Sequence, residues 1–286
     1  MPSPTIAEAL RGARVRLAAR GQDAARLEAE LLLCAAIDAT RTALIAWPDR
    51  RLEPAQAARL EALLERRLGG EPMAYILGRR EFWGIELEVG PSTLIPRPDT
   101  ELLVECALKG LPADAPLVCA DLGTGCGAVA AALAHERARW TLIAVERWPL
   151  AAAVAAGNQR RLGLDNLLPL CGDWLTAFAA GSLDAVVSNP PYVRDDDPHL
   201  AQGDLRFEPR SALCAGADGL DAARVIAAEA RHALRPGGWL ALEHGWDQGD
   251  ALRRLLAGHG FTAISTHRDL AGHERVTSAV APGSSG

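Results

Sequence analysis

Leu117-Val118-Cys119-Ala120-Asp121-Leu122-Gly123-Thr124-Gly125-Cys126-Gly127 is an apolar run of strand length that meets an acid and then three glycines at alternate positions. The run predicts a buried parallel strand over 117–121, and the glycines predict a tight turn into a helix over 126–136. The same alternation continues downstream. Strands are expected at 141–146, 166–171, 183–188 and 238–243, with helices at 149–162 and 220–235. Strands that alternate with helices in this way form a parallel sheet covered on both faces, so the fold class is α/β. Pro236-Gly237-Gly238 is a turn feeding the last of these strands. Two further strands, near 260–267 and 274–281, would close the sheet antiparallel, and Ser284-Ser285-Gly286 reads as a frayed tail.

Upstream, residues 5–70 carry apolar positions at helical spacing, as in Ile6, Ala9, Leu10, Ala13 and Leu17 or Leu60, Leu63, Leu64 and Leu68. Pro48, Pro54 and Gly69-Gly70 punctuate them. Residues 1–72 are therefore expected to form a small all-helical domain. It offers no catalytic cluster, which leaves docking or substrate recognition as its role. Residues 73–98 read as a linker with a hairpin, in which Phe82 to Val89 alternates like one strand arm. Residues 99–286 form the α/β domain. Asp99 or Thr100 can cap the helix that opens it, through Leu102, Leu103 and Ala107.

At 286 residues with 49% hydrophobic content, the chain has the composition of a soluble globular protein. No apolar run reaches about 18 residues and no signal pattern opens the chain, so a cytoplasmic, membrane-free protein is expected. Net charge is −6, which argues against direct binding of duplex DNA over a wide basic face. The first 80 residues are mildly basic, with 13 Arg against 10 acids, so this section could meet an acidic or RNA-bearing partner or simply be a solvated helix surface. Cys34, Cys106, Cys119, Cys126, Cys171 and Cys214 form no C-x-x-C pair and no metal spacing with His. They read as small buried hydrophobes, and no metal site is expected.

Candidate functional residues fall at strand ends. The loop Asp121, Gly123, Thr124, Gly125, Cys126, Gly127 has G-x-G-x-G spacing rather than the G-x-G-x-x-G of dinucleotide enzymes. Glu146 ends the next strand, where a carboxylate can accept both ribose hydroxyls of a nucleoside. Asp173-Trp174 follows the third strand, with a carboxylate for an exocyclic amine and a flat ring for a base. Asn189-Pro190-Pro191-Tyr192 follows the fourth. Its prolines remove amide donors and stiffen the loop, which leaves the Asn189 side chain and the Asn189 and Pro190 carbonyls as acceptors for a planar NH2 group. All four lie on the strand edge where open α/β sheets bind ligands. Glu243-His244 ends a later strand as either a general base or structural support, and Arg97 is either a carboxylate contact or an ion pair.

The chain resembles the class I S-adenosylmethionine-dependent methyltransferases, and within them the protein-(glutamine-N5) methyltransferases that modify peptide chain release factors. The resemblance covers nearly the whole chain. It is carried by Arg80-Glu81-Phe82-Trp83, Ile95-Pro96-Arg97-Pro98-Asp99-Thr100-Glu101, the glycine loop, Asn189-Pro190-Pro191-Tyr192, Arg206-Phe207-Glu208-Pro209, Glu243-His244-Gly245 and Glu274-Arg275-Val276. It implies a seven-stranded, mostly parallel Rossmann-like methyltransferase sheet behind the helical domain, and a monomeric enzyme. It implies S-adenosyl-L-methionine as cofactor and S-adenosyl-L-homocysteine as product, with Asp121, Gly123, Thr124, Gly125, Cys126, Gly127, Glu146, Asp173, Trp174 and Asn189 at the cofactor. The implied substrate is the glutamine of a release-factor Gly-Gly-Gln loop, received by Asn189, Pro190, Pro191 and Tyr192. Asn189 and the Pro190 carbonyl would accept its two amide hydrogens, and Tyr192 would wall the pocket. Position 146 is Glu where such enzymes commonly carry Asp. A ribosomal-protein glutamine methyltransferase, an adenine-N6 nucleic-acid methyltransferase and a nonenzymatic cofactor-binding module stand as alternatives.

Overall fold

The computed structural model describes residues 3–21 and 24–283, so the tail expected at Ser284-Ser285-Gly286 lies outside the described residues. The chain divides into two compact units, Met1–Gly78 with Gln202–Phe207, and Arg79–Ala201 with Glu208–Gly286.

The first unit holds five helices, α1 (Ile6–Ala18), α2 (Ala25–Ile37), α3 (Arg41–Ala46), α4 (Pro54–Leu68) and α5 (Met73–Leu77). Thr5 and Glu8 form a capping box at the start of α1, and Pro54 opens α4 where its missing amide costs nothing. Ile6, Leu17, Leu32, Leu33 and Leu64 make the core. Ile76 is part of that core and Met73 packs against it, so this unit extends to Gly78 instead of ending at residue 72. Between α2 and α4, Arg67 grips Glu28 with two hydrogen bonds, Nε at 2.9 Å and Nη2 at 2.8 Å, and both side chains are buried. The returning segment Gln202–Phe207 completes the unit, where Arg206 donates to the Gly69 carbonyl at 3.1 Å. Gly70, at φ +91, lies so close to this arginine that a Cβ would fall 1.8 Å from Nη2.

The second unit opens with a hairpin, β1 (Arg79–Phe82) and β2 (Ile85–Glu88). The sequence reading took Phe82 to Val89 as a single arm. Trp83 and Gly84 instead form the turn, both at positive φ (54° and 70°), as a two-residue hairpin loop of the twist-matched kind requires. Then come α6 (Glu101–Gly110), β3 (Leu117–Leu122), α7 (Ala128–Glu136), β4 (Trp140–Glu146), α8 (Pro149–Leu162), β5 (Leu167–Cys171), β6 (Leu183–Ser188), α9 (Asp221–Ala233), β7 (Leu234–Glu243), α10 (Gly249–Gly258), β8 (Thr262–Arg268) and β9 (Glu274–Val280). The strands form one seven-stranded sheet in the order β5-β4-β3-β6-β7-β9-β8. β3 to β7 are parallel, and β9 pairs antiparallel with both β7 and β8. Ala120, Leu122, Val186, Leu240 and Leu242 share a core with Ile226 and Ala230 of α9 and Leu252 and Leu256 of α10. The alternate positions of the same strands, Cys119 and Asp121 among them, face the other side, which α6, α7 and α8 cover.

Of the six cysteines, Cys106, Cys119 and Cys126 are buried as expected, Cys34 and Cys214 are half-buried, and Cys171 is exposed because it ends the edge strand β5. Among the described residues no helix is long and apolar enough to cross a membrane. The buried Glu28–Arg67 pair gives a direct stability test. Arg67→Met leaves the Glu28 carboxylate buried without its partner, and the expected loss is about 3–5 kcal/mol in urea unfolding. A loss below about 1 kcal/mol would mean that the pair acts as an ordinary surface ion pair does.

Candidate active site

The strand order reverses beside β3. The chain runs β3, β4, β5 in one direction and then returns to lay β6 on the other side of β3. Loops leaving β3 and β6 therefore diverge, and the crevice between them is where open α/β sheets bind ligands. Leu122 pairs with Ser188 at this point, and Ser188 Oγ donates to the Leu122 carbonyl at 2.7 Å. The next residues on each strand are Gly123 and Asn189.

Gly123, Gly125 and Gly127 all have positive φ, at 66°, 59° and 87°. The turn they make is held from three sides. Thr124 N donates to the Val145 carbonyl at 3.0 Å. Gly125 N donates to Glu146 Oε2 at 3.0 Å, and the other Glu146 oxygen accepts from Trp148 N at 2.9 Å. The Cys126 carbonyl accepts from Asn158 Nδ2 at 2.9 Å. Asn158, only 1% exposed, also exchanges hydrogen bonds with both backbone groups of Glu88, so one side chain ties the glycine loop to the hairpin. Asp121 lies beneath. Its Oδ2 accepts from Thr124 Oγ1 at 2.6 Å and from Ala130 N at 3.1 Å. Burial pushes its carboxyl up to about 7, although those two hydrogen bonds favour the charge; Glu146 raises it further.

A cavity of about 510 Å³ opens at this edge, walled by Gly123, Glu146, Trp148, Trp174, Asn189 and Pro191, among others. That is ample for a nucleoside-sized ligand. A Cβ on Gly123 would touch the Trp174 ring at 3.5 Å, so the glycine lets the ring and the loop share one wall. Trp174 itself sits at φ 42, where few residues other than glycine rest, and the following amide, Leu175 N, is held by Glu229 at 2.8 Å. Glu146 keeps lone pairs free for further donors beyond its two amides, which suits vicinal hydroxyls. Asp173 is not in the wall. Its side chain is about half exposed and lies 3.9 Å from Arg147. A second, smaller cavity of about 50 Å³ runs between Asp121, Thr124, Gly125 and Cys126 on one side and Thr100 and Asn189 on the other.

In the proline loop, Pro190 is buried, while Asn189 and Pro191 are half-buried. Asn189 Nδ2 donates to Thr100 Oγ1 at 3.0 Å. Asp99 or Thr100 was the expected helix cap; Thr100 takes the N-cap position but makes no side-chain cap bond, because Pro98–Thr100 forms a 3-10 turn before α6 and the hydroxyl faces Asn189. Tyr192 OH donates to Glu243 Oε1 at 3.4 Å. Burial pushes the Tyr192 phenol well above its ordinary value, and the nearby Glu243 charge adds to this. Gln248 Nε2 holds the end of the loop by donating to the Tyr192 carbonyl and to the Asp218 carbonyl, each at 3.1 Å. A Cβ on Gly219 would lie 2.2 Å from that same Tyr192 carbonyl.

Glu243 and His244 part company. His244 is buried and both ring nitrogens are engaged, Nδ1 with the Gly245 carbonyl at 2.8 Å and Nε2 with Thr277 Oγ1 at 2.9 Å, so it is structural support. Glu243 points to the proline loop. Arg97 pairs with Glu208, which also accepts from Ile95 N at 3.1 Å, so Arg97 is an ion-pair residue. Sequence reasoning singled out the glycine loop, Glu146, Trp174 and the proline loop. It missed Asn158, Gln248 and Gly219, which carry no local motif, and it saw Thr100 only as one of two candidate caps, not as a partner of Asn189.

Residues 8–78 match the PrmC N-terminal domain family, and residues 98–204 match the Methyltransferase small domain family. A release factor glutamine methyltransferase of Vibrio cholerae is 50% identical over 277 residues, 96% of each chain. This chain belongs to the release factor glutamine methyltransferase family. The family member of Pseudomonas aeruginosa is 52% identical over 253 residues, 88% of this chain and 91% of that one. Solved structures repeat the fold of the family's sheet at low identity. The Thermus thermophilus 16S rRNA N2 G1207 methyltransferase, in complex with AdoMet and guanosine, superposes with a TM-score of 0.54 at 21% identity, over 71% of this chain and 49% of that one. A methyltransferase from Pyrococcus furiosus gives 0.53 at 19% identity, over 77% and 97%.

The raised Asp121 carboxyl sets a pH test. A carboxyl lifted to about 7 in the folded chain, from 3.8, contributes stability below its unfolded value that is lost as pH rises through 7. In Asp121→Asn, one amide oxygen can accept from both Thr124 and Ala130 with no charge to bury. The melting temperature of this variant, measured without cofactor, should gain on the wild type as pH rises from about 5 to 8. A constant gap would disprove the buried charge.

Proposed function

We propose that the protein transfers a methyl group from S-adenosylmethionine to the side-chain amide nitrogen of the glutamine in the Gly-Gly-Gln loop of peptide chain release factors. Family membership supports the reaction class. The observation that carries the reading is the meeting of the nucleoside-sized cavity with the Asn189-Pro190-Pro191-Tyr192 loop at one strand reversal. Glu146 would hold the ribose hydroxyls, Trp174 the adenine face, Asp173 the exocyclic amine from the cavity margin, and the glycine loop over Asp121 the remainder. Bound there, S-adenosylmethionine supplies a methyl group activated by its sulfonium and leaves as S-adenosylhomocysteine.

An amide nitrogen is a weak nucleophile because its lone pair is delocalised into the carbonyl, and its proton is far too weakly acidic for a side-chain base to remove first. The chain's task is therefore orientation and charge stabilisation. Asn189 Nδ2 is taken by Thr100, which leaves Oδ1 as the outward acceptor. Proline at 191 restricts Pro190 to extended geometry and stiffens the stretch that carries the Pro190 carbonyl. These two oxygens would receive the two hydrogens of the glutamine amide and stabilise the positive charge that develops on nitrogen. Tyr192, its phenol held protonated by burial, forms the pocket wall and takes no proton. The surplus proton leaves the methylated nitrogen for solvent. No metal takes part in this scheme. The helical unit would recognise the release factor, and a monomer acting in the cytoplasm suffices.

Asn189→Ala removes the outward acceptor while the glycine loop, Glu146 and Trp174 remain. Turnover should fall by about 10²–10³-fold or more, with cofactor affinity by calorimetry changed only a few-fold. The assay uses labelled S-adenosylmethionine with a Gly-Gly-Gln release-factor domain, a ribosomal protein and duplex DNA in parallel. Undiminished turnover in the variant would refute the role of Asn189. Label in the ribosomal protein or DNA but not in the release-factor domain would overturn the substrate.

A further inference from the structure

Glu243, at the end of β7, has a fully buried carboxylate oxygen that nothing answers. It is 2% exposed, its Oε1 receives the Tyr192 hydroxyl at 3.4 Å, and its Oε2 has no hydrogen-bond partner. The Thr100 hydroxyl favours the charge of this carboxylate, while Oε2 itself accepts no hydrogen bond. That hydroxyl also stands 3.0 Å from Asn189 Nδ2. A hydroxyl has a single hydrogen to give. With Glu243 ionised, the hydrogen is drawn to the carboxylate, and the Thr100 oxygen is left as an acceptor that only the NH2 side of Asn189 can satisfy.

We propose that Glu243, acting through Thr100, fixes which way the Asn189 carboxamide faces, so that its oxygen is presented to the substrate amide. Thr100 and Glu243 are positioning residues in this scheme, and neither touches the reacting atoms. The inference rests on the reading of Asn189 given above. Asn189 is symmetric in shape about its side-chain bond, so packing alone does not distinguish oxygen from nitrogen, and only a partner of defined polarity does. Flipped, the carboxamide would present donors to a substrate nitrogen that also carries donors, and the contact would become repulsive.

Protonated Glu243 could donate to Thr100, whose hydrogen would then turn to the Asn189 oxygen and favour the flipped amide. Burial holds the Glu243 carboxyl up to about 7, so this reversal falls near neutrality. The charged and titratable groups that face it are Tyr192 from the proline loop, Arg275 of β9 and Asp99 of the 3-10 turn; Arg275 favours the charge and Asp99 opposes it. Asp121 shares the same range but lies under the glycine loop, so its titration should appear in cofactor affinity rather than in turnover at saturation.

The test compares wild type with Thr100→Val, Thr100→Ser and Glu243→Gln. At saturating substrates the wild-type kcat should fall with one protonation below about pH 7, and Glu243→Gln should lose that limb. Thr100→Val, which keeps the shape and loses the hydroxyl, should lower kcat on the order of tenfold, and Thr100→Ser, which keeps the hydroxyl and loses the methyl, should recover most of it. A merely packing role reverses that order. In the cofactor-free protein, the Asn189 side-chain amide resonances should titrate in step with the Glu243 carboxyl carbon, and the coupling should vanish in Thr100→Val. Should any variant fold poorly, the wild-type resonances and the Thr100→Ser and Glu243→Gln pH profiles decide the matter. An Asn189 amide that ignores the Glu243 titration, or an acid limb that survives Glu243→Gln, overturns the relay. A wild type that methylates no glutamine, with the resonances still coupled, would instead refute the functional reading.

Discussion

The pairing of Leu122 with Ser188 is the constraint on which the site depends. Five parallel strands could be laid side by side in chain order, and then no crevice would exist. Here β6 returns to the far side of β3, so α7 leaves β3 on one side while the proline loop leaves β6 on the other. Parallel neighbours keep their carboxyl ends level, so one row of residues follows from the order alone. Cys171, Glu146, Gly123, Asn189 and Glu243 stand next to one another along that edge, although Glu243 comes 120 positions after Gly123 in the chain. Ser188 Oγ on the Leu122 carbonyl closes the seam where a missing hydrogen bond would let the two loops drift.

The same edge buries three carboxylates, and each meets the cost of leaving water differently. Glu146 accepts from two backbone amides, which belong to the very turns it must hold in place. Asp121 has one hydroxyl and one amide, both on a single oxygen, and retains a raised affinity for protons. Glu243 has only a long contact from Tyr192 and a neighbouring hydroxyl, and it too is raised. A buried acid is tolerated to the extent that hydrogen bonds replace the water it has lost. The carboxylate with the weakest answer of the three, Glu243, is the one that touches the proline loop through Tyr192.

The sheet was legible because its signals are local. Apolar runs of strand length, glycines at turns and amphipathic helices carry the order of the strands, including the antiparallel closing pair, and of the helices before them, while α10 between β7 and β8 went unread. The boundary at Gly78 was not, because Ile76 belongs to the first core only through residues far upstream. The hairpin was misread for a related reason. Alternation ran unbroken through Trp83, and only the backbone geometry reveals that a tryptophan occupies a turn position normally given to Asn or Asp. Within the site, Glu146 and Trp174 followed from strand ends, whereas Asp173 faces Arg147, which lies 26 residues earlier in the chain. Asn158 acts on Glu88 across 70 residues and Gln248 on Tyr192 across 56. No spacing rule reaches such pairs, since they exist only after the sheet has brought their ends together.

Thr100 shows how a local rule can name the right residue for the wrong reason. Asp-Thr-Glu before an apolar helix is a fair capping signal. The preceding Pro98 and the 3-10 turn move Thr100 into helical geometry, at φ −67 and ψ −17, where its hydroxyl no longer reaches the helix amides. It becomes free to serve a residue 89 positions away. The proline loop itself needs such outside help. Pro190 and Pro191 stiffen the backbone but do not orient the side chain of Asn189, while Gln248 and Gly219 anchor the loop only at its far end, on the Tyr192 carbonyl. A rigid backbone with a freely turning carboxamide would present oxygen and nitrogen almost at random. Orientation of that one group must come from the next strand and from the turn before α6, and those are the two places that supply Glu243 and Thr100.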